Sequence, residues 1–275
     1  MNTLHCSRPG AGINVDQLQS MMAAPPPSDA IACSVDRASP MAEKTFAEIL
    51  EEATDRSRDM DAPLGERLKA VADEVRRLSP DFADIVDRMV ARLEANNVGQ
   101  SAPKPGEPMP DFMLPDEGGR LVRLADLLDQ GPVVLSFNRG HWCPYCRLNV
   151  DGLARIAPEV ENLGATIVAI SPEKGRYASE LKSYAKAPFP VLADIDNGYA
   201  LELNLLFWVG DEKREAMQAG GFDIAPYQGN DAWMLPIPAT FIIGRDGVVK
   251  ARYIDPDYRR RMDLNELLAA LKSAL

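Results

Sequence analysis

The chain has 275 residues and a formal net charge of −11, from 41 acidic and 30 basic side chains. That balance argues against nucleic acid or an anionic membrane surface as a partner, and no apolar run reaches the roughly 18 residues that a membrane-spanning helix needs. With 46% hydrophobic and 26% charged residues, and four cysteines that do not make a secreted disulfide framework, a cytoplasmic globular protein of one or two domains is expected.

Residues 1–40 hold Pro25, Pro26 and Pro27, scattered serine and glycine, and no periodicity, which reads as a disordered tail. Ala30-Ile31-Ala32-Cys33 lacks the apolar stretch of a signal peptide, and Met41 offers an alternative start. Residues 41–99 read as a helical extension. Phe46, Ile49, Leu50 and Ala53 form one apolar stripe, and Leu64, Leu68, Val71, Val75 and Leu78 a second. Ser79-Pro80-Asp81 then supplies an N-cap, a first-turn proline and an acid for a helix through Phe82, Ile85, Val86, Met89, Val90 and Leu93. No catalytic constellation falls here; the extension serves packing, homodimer formation or both.

Residues 100–275 read as a separate α/β domain. A proline-rich linker (Pro103, Pro105, Pro108, Pro110) leads into a hairpin at 111–122, a short helix at 125–128 and a buried strand at 133–137. A helix through Leu153 to Leu163, a strand at 166–170, a helix at 177–184, a strand at 190–192 and a helix at 198–205 follow. Residues 209–235 look irregular and are a candidate lid or insertion. A buried strand at 239–243, a turn at Asp246-Gly247, an alternating strand to Tyr253 and a final helix capped by Asp263 and Glu266 complete a mixed-sheet sandwich.

The chemistry concentrates at Trp142-Cys143-Pro144-Tyr145-Cys146, between the strand at 133–137 and the next helix. Unpaired amides and the positive end of a helix favour thiolate over thiol, and proline suits the first helical position. Two cysteines so spaced at a strand-to-helix junction point to a redox pair. The alternatives are two small buried hydrophobes, or a metal held by His141, Cys143 and Cys146, for which a fourth ligand is missing.

Trp142-Cys143-Pro144-x-Cys146 after a core strand, with Pro238-Ala239-Thr240-Phe241 entering a later one, resembles the thioredoxin fold. Over Pro105 to Leu275 the chain is more similar to peroxiredoxins of the alkyl hydroperoxide reductase/thiol-specific antioxidant family. It shares Pro-Gly-x-x-x-Pro-Asp-Phe at 105–112, the strand Val133-Val134-Leu135-Ser136-Phe137-Asn138-Arg139, and Asp246-Gly247. The resemblance implies a thioredoxin-like fold with a mixed central sheet and no cofactor. Laid on this strand without a gap, the peroxiredoxin signature puts Arg139 at its proline, Cys143 at its threonine and Cys146 at the peroxidatic cysteine, while Pro238 falls at its second arginine. The thioredoxin register instead makes Pro238 the fold's cis-proline and Cys143 the attacking thiol. Cys-Pro-Tyr-Cys is also the glutaredoxin tetrapeptide.

Lowering a cysteine pKa to about 6 raises its thiolate fraction at pH 7 roughly thirtyfold, but the loss of nucleophilicity returns about tenfold. Peroxide reduction therefore depends on holding the peroxide and stabilising its leaving oxygen. Arg139, Arg147 and Arg252 are the substitutes for the missing family arginine, and His141 a candidate proton donor. The leading expectation is a thiol peroxidase in which Cys146 attacks, Cys143 resolves, and a thioredoxin- or glutathione-type donor restores the dithiol, with Trp142, Pro144, Tyr145, Pro238 and Arg139 around the substrate. A disulfide oxidoreductase is the alternative, and a non-enzymatic redox sensor or binding protein a third.

Overall fold

The computed structural model describes residues 45–275; the expected tail at 1–40 and the start at Met41 lie outside the described residues. Helix α1 (Phe46–Arg58) opens on a capping box that the periodicity does not announce. Its Glu48 backbone N–H donates to the Thr45 hydroxyl at 3.3 Å, and the Thr45 backbone N–H donates to the Glu48 carboxylate at 2.8 Å. Helices α2 (Leu64–Leu78) and α3 (Pro80–Ala95) follow, with Ser79 at the N-cap between them and Pro80 at the first position. Ser79 caps by position alone, since its side chain makes no cap bond.

The apolar residues of the three helices divide in a way that matters later. Leu64, Leu68, Val71, Val75, Val86, Met89, Val90 and Leu93 are core, whereas Phe46, Leu50, Leu78, Phe82 and Ile85 stay half-buried. The extension is tied to the α/β domain by a buried ion pair, Arg67 Nη2 to Asp151 Oδ2 at 2.5 Å, and Arg67 Nε also donates to the Ser57 carbonyl at 3.0 Å.

The domain begins with the expected hairpin, β1 (Met113–Pro115) against β2 (Leu121–Arg123), and the short helix α4 (Leu124–Leu128). The remaining elements are β3 (Val133–Phe137), α5 (Pro144–Asn162), β4 (Thr166–Ser171), α6 (Gly175–Ala185), β5 (Val191–Ala193), α7 (Gly198–Glu202), β6 (Leu206–Trp208), α8 (Asp211–Ala219), α9 (Ala225–Gln228), β7 (Met234–Pro236), β8 (Ala239–Ile243), β9 (Val249–Ile254) and α10 (Leu264–Ser273). The central sheet has the order β5-β4-β3-β8-β9, with β3, β4 and β5 parallel and β8 and β9 antiparallel. This is a thioredoxin-like fold.

Period-two alternation sorts the sheet residues to its two faces. Val134, Ile167, Ala169 and Ile242 pack under α5, α6 and α10, while Leu135, Phe137, Val168, Ile170 and Phe241 pack on the other side with Phe112, Leu124 and Tyr199. Asp263 caps α10 as its spacing implies, accepting from the backbone N–H groups of Asn265 and Glu266.

Residues 209–235 correct the expectation of an irregular lid. They contain α8 and α9 and are closed by the antiparallel pair β6–β7. Helix α8 lies against α3, joined by Arg88 Nη2 to Glu212 Oε1 at 2.5 Å, and Arg92 Nη2 donates to the Trp208 carbonyl at 2.9 Å. The segment is a packed insertion.

Candidate active site

Strand β3 delivers the loop Asn138–Trp142 to the start of α5, where Cys143 is the N-cap and Pro144 the first helical residue. The Cys146 and Arg147 backbone N–H groups both donate to the Cys143 carbonyl at 3.0 Å, closing the first turn. Gly140 has φ +145°, and a Cβ there would lie 2.4 Å from Trp142 Nε1 and 2.7 Å from Glu173, so the close approach of backbone to both side chains requires glycine.

Glu173, fully buried after β4, organises this loop. Its carboxylate accepts from the His141 backbone N–H at 2.7 Å and from Ser171 Oγ at 3.1 Å, and its Oε1 lies 2.7 Å from His141 Nδ1. The His141 ring stacks on Tyr177 and has Nε2 3.3 Å from Glu180. His141 is therefore an anchored loop residue, with both ring nitrogens close to carboxylates. Among the described residues no set of three His, Cys, Asp or Glu groups could hold a metal.

Cys143 and Cys146 are free thiols with no solvent exposure. They differ in what they face. Cys143 borders a cavity of about 470 Å³ together with Arg139, Trp142, Pro144, Tyr145, Lys213 and Tyr258, and Cys146 does not line it. The half-buried residues of the extension, Phe46, Leu50, Leu78, Phe82 and Ile85, form the cavity's apolar side with Phe222 of the insertion.

The electrostatics also separate the two thiols. Burial raises Cys143, but its interaction with the neighbouring Cys146 thiol and the charges of Arg139 and Arg261 outweigh it, so its pKa falls well below the usual thiol value. Burial, the hydrogen bond to Cys143 and the charge on Cys143 push Cys146 well above that value, against Arg261 and Arg139. The direct contacts pull the other way: Cys146 Sγ accepts the Arg139 backbone N–H at 3.2 Å and lies 3.5 Å from Arg261 Nη2. Two thiols this close share one negative charge. We place it on Cys143, which has the N-cap position of α5 and the charges of Arg139 and Arg261 nearby.

Arg139 is buried with its guanidinium carbon 3.6 Å from the Tyr258 ring centroid and 4.9 Å from that of Trp142, and its Nε and Nη1 have no hydrogen-bond partner among the described residues. The other two candidate arginines are committed elsewhere. Arg147 pairs with Glu51 at 2.5 Å and stacks on Tyr184, and Arg252 donates to the carbonyls of Ala102 and Pro103. Tyr145 is buried edge-on against Tyr258, with ring centroids 5.4 Å apart.

Pro238 is placed differently from the thioredoxin-register expectation. No peptide bond among the described residues is cis, and Pro238 sits buried before β8 and does not border the cavity. The sequence reading misses Tyr258, Arg261, Lys213 and Glu173. Tyr258-Arg259-Arg260-Arg261, a basic run in an acidic chain, is the signal that points to the first two.

The AhpC/TSA family model matches residues 105–252, and the chain belongs to that family. Among curated proteins it is similar to the 1-Cys peroxiredoxin PER1 of Hordeum vulgare, 25% identical over 177 residues that cover 62% of this chain and 72% of that protein. It is also similar to the thiol-disulfide oxidoreductase ResA of Bacillus subtilis, 28% identical over 153 residues, 55% of this chain and 68% of that one. Among solved structures, peroxidoxin BcpB from Mycobacterium tuberculosis matches with a TM-score of 0.49 and 24% identity, over 63% of this chain and 99% of that one. The family match stops short of the extension, so the wall that α1, α2 and α3 add to the cavity lies outside the matched region.

Proposed function

We propose that this protein is a thiol peroxidase in which Cys143 attacks the peroxide and Cys146 resolves it. The observation that carries the reading is that Cys143, at the N-cap of α5, is among the residues lining the cavity and Cys146 is not. This reverses the order implied by the ungapped peroxiredoxin register, because a peroxide has to reach the sulfur that attacks it.

The Cys143 thiolate attacks the outer peroxide oxygen; the S–O bond forms as the O–O bond breaks, giving a sulfenic acid and an alcohol or water. Cys146 then displaces that oxygen as water and closes a Cys143–Cys146 disulfide. A thiol reductant, of the thioredoxin or glutathione type, attacks Cys143. The departing Cys146 thiolate is received by the Arg139 backbone N–H and Arg261, which gives those two contacts a role on the resolving sulfur. Arg139 supplies positive charge where the leaving oxygen develops its own negative charge.

A second reading, a disulfide oxidoreductase, is favoured by the Trp142-Cys143-Pro144-Tyr145-Cys146 sequence and by the same cavity-facing Cys143. Parallel assays separate them. The peroxidase reading expects thiol oxidation by hydrogen peroxide or an organic hydroperoxide far faster than by a protein disulfide, and the opposite ranking would favour the oxidoreductase.

A further inference from the structure

Helix α8 brings an unusual group to the cavity. Lys213 is 2% exposed and lines the same cavity as Cys143, on an element whose other buried residue, Met217, lies one turn away. Taking an ammonium out of water is costly unless it is paired. Among the described residues Lys213 has no carboxylate partner: Nζ is 3.5 Å from Met89 Sδ and 4.2 Å from the Tyr258 ring centroid, on a ring that Arg139 also contacts. The charged groups around it are Arg139 and the Cys143 thiolate at the start of α5, with Arg259 and Asp257 beside Tyr258. Asp257 is itself engaged by Arg259 at 2.7 Å. A buried lysine without a carboxylate partner, on the cavity that Cys143 also lines, is poorly explained by packing, which a methionine of similar shape would satisfy.

We propose that Lys213 is the proton donor to the leaving oxygen, a catalytic residue supplied by the insertion. This rests on the peroxidase reading. As the Cys143 sulfur takes the outer oxygen and the O–O bond breaks, sulfur is oxidised by two electrons and the inner oxygen departs as alkoxide or hydroxide. The Lys213 ammonium gives that oxygen its proton, releasing an alcohol or water, and the amine regains a proton from solvent. Burial and Arg139 draw the ammonium well below the usual lysine range, opposed by the Cys143 thiolate, and a donor shifted in this direction transfers its proton more readily.

The test is leaving-group dependence. Thiol loss in the reduced full chain is followed by stopped flow with tert-butyl hydroperoxide, whose leaving group is a strongly basic alkoxide, and with peracetic acid, whose leaving carboxylate needs no proton. Lys213→Met, which keeps the buried shape, should lose about a hundredfold with tert-butyl hydroperoxide but less than about threefold with peracetic acid. Lys213→Arg, a weaker acid, should fall between on the first and match wild type on the second. Equal losses on both oxidants, or none on either, would overturn the assignment and leave Lys213 a structural residue. A wild-type protein oxidised by neither reagent would overturn the peroxidase reading itself, and the donor role with it.

Discussion

Arg67 Nη2 meets Asp151 Oδ2 at 2.5 Å across the junction of α2 and α5, joining the extension to the helix that carries both cysteines. Arg67 is 2% exposed, so the pair is screened little by water. Arg67→Met removes the guanidinium and the bond to the Ser57 carbonyl, and leaves Asp151 with Arg155 as its remaining side-chain partner. A loss of about 3 kcal/mol is expected, the scale for breaking a buried pair. Urea denaturation checks it, and a change below about 1 kcal/mol, the range of an exposed pair, would show the junction to be held by apolar packing alone.

Cys143 and Cys146 titrate in opposite directions, which sets a pH profile. Cys143 is an acid whose folded pKa is depressed, so its thiolate survives as pH falls below the ordinary thiol range and disappears only as pH drops through the lowered value. Iodoacetamide alkylation of the Cys146→Ser protein should therefore follow a midpoint well below 9. Because the Cys146 side chain helps to hold Cys143 down, Cys146→Ala, which leaves no polar group there, should have its midpoint above that of the wild-type protein. Alkylation that rises only above pH 9 in every one of these proteins would contradict the assignment of the charge.

Gly140 sits where the chain must pass close to Trp142 and Glu173. Gly140→Ala would force a Cβ into contacts of 2.4 and 2.7 Å at a φ of +145°, so the loop must shift. The expected outcome is a loss of about 1–3 kcal/mol together with slower oxidation of Cys143. An unchanged melting temperature and rate would mean that the loop accommodates the methyl group freely.

Much of this architecture is legible in the sequence, for physical reasons that particular residues show. The run Val133–Phe137 is β-branched and apolar because β3 is covered on both faces, and Cys143-Pro144 marks a helix start because proline tolerates only the first turn. Helix α8 is not legible. In Asp211–Ala219 only Lys213 and Met217 are buried, so it has no apolar stripe, and its packing on α3 through Met89 is long-range information. The site follows the same division. Arg139, Trp142 and the two cysteines adjoin one another in the chain, whereas Tyr258 and Lys213 reach the cavity from distant elements, Tyr258 marked only by the basic run that follows it and Lys213 by no motif. The proposed order of the thiols depends on which cysteine lines the cavity, and alignment registers carry no such information.

Peroxide treatment of the reduced protein should consume about one equivalent per chain, a stoichiometry that follows from one sulfenic acid resolved by one neighbouring thiol. Peptide mapping should then find Cys143 bonded to Cys146 with the mass loss of two hydrogens. Free thiols at both positions after treatment would remove the basis for a redox pair.

The most direct test of the central claim is sulfenic-acid trapping in the two single-cysteine variants, with a dimedone probe and limiting hydrogen peroxide. If Cys143 attacks, Cys146→Ser should form a labelled sulfenic acid at Cys143 at close to the wild-type oxidation rate, and Cys143→Ser should be unreactive on that timescale. Rapid labelling of Cys146 in Cys143→Ser, with a slow Cys146→Ser, would contradict the account and restore Cys146 as the peroxide-reactive sulfur.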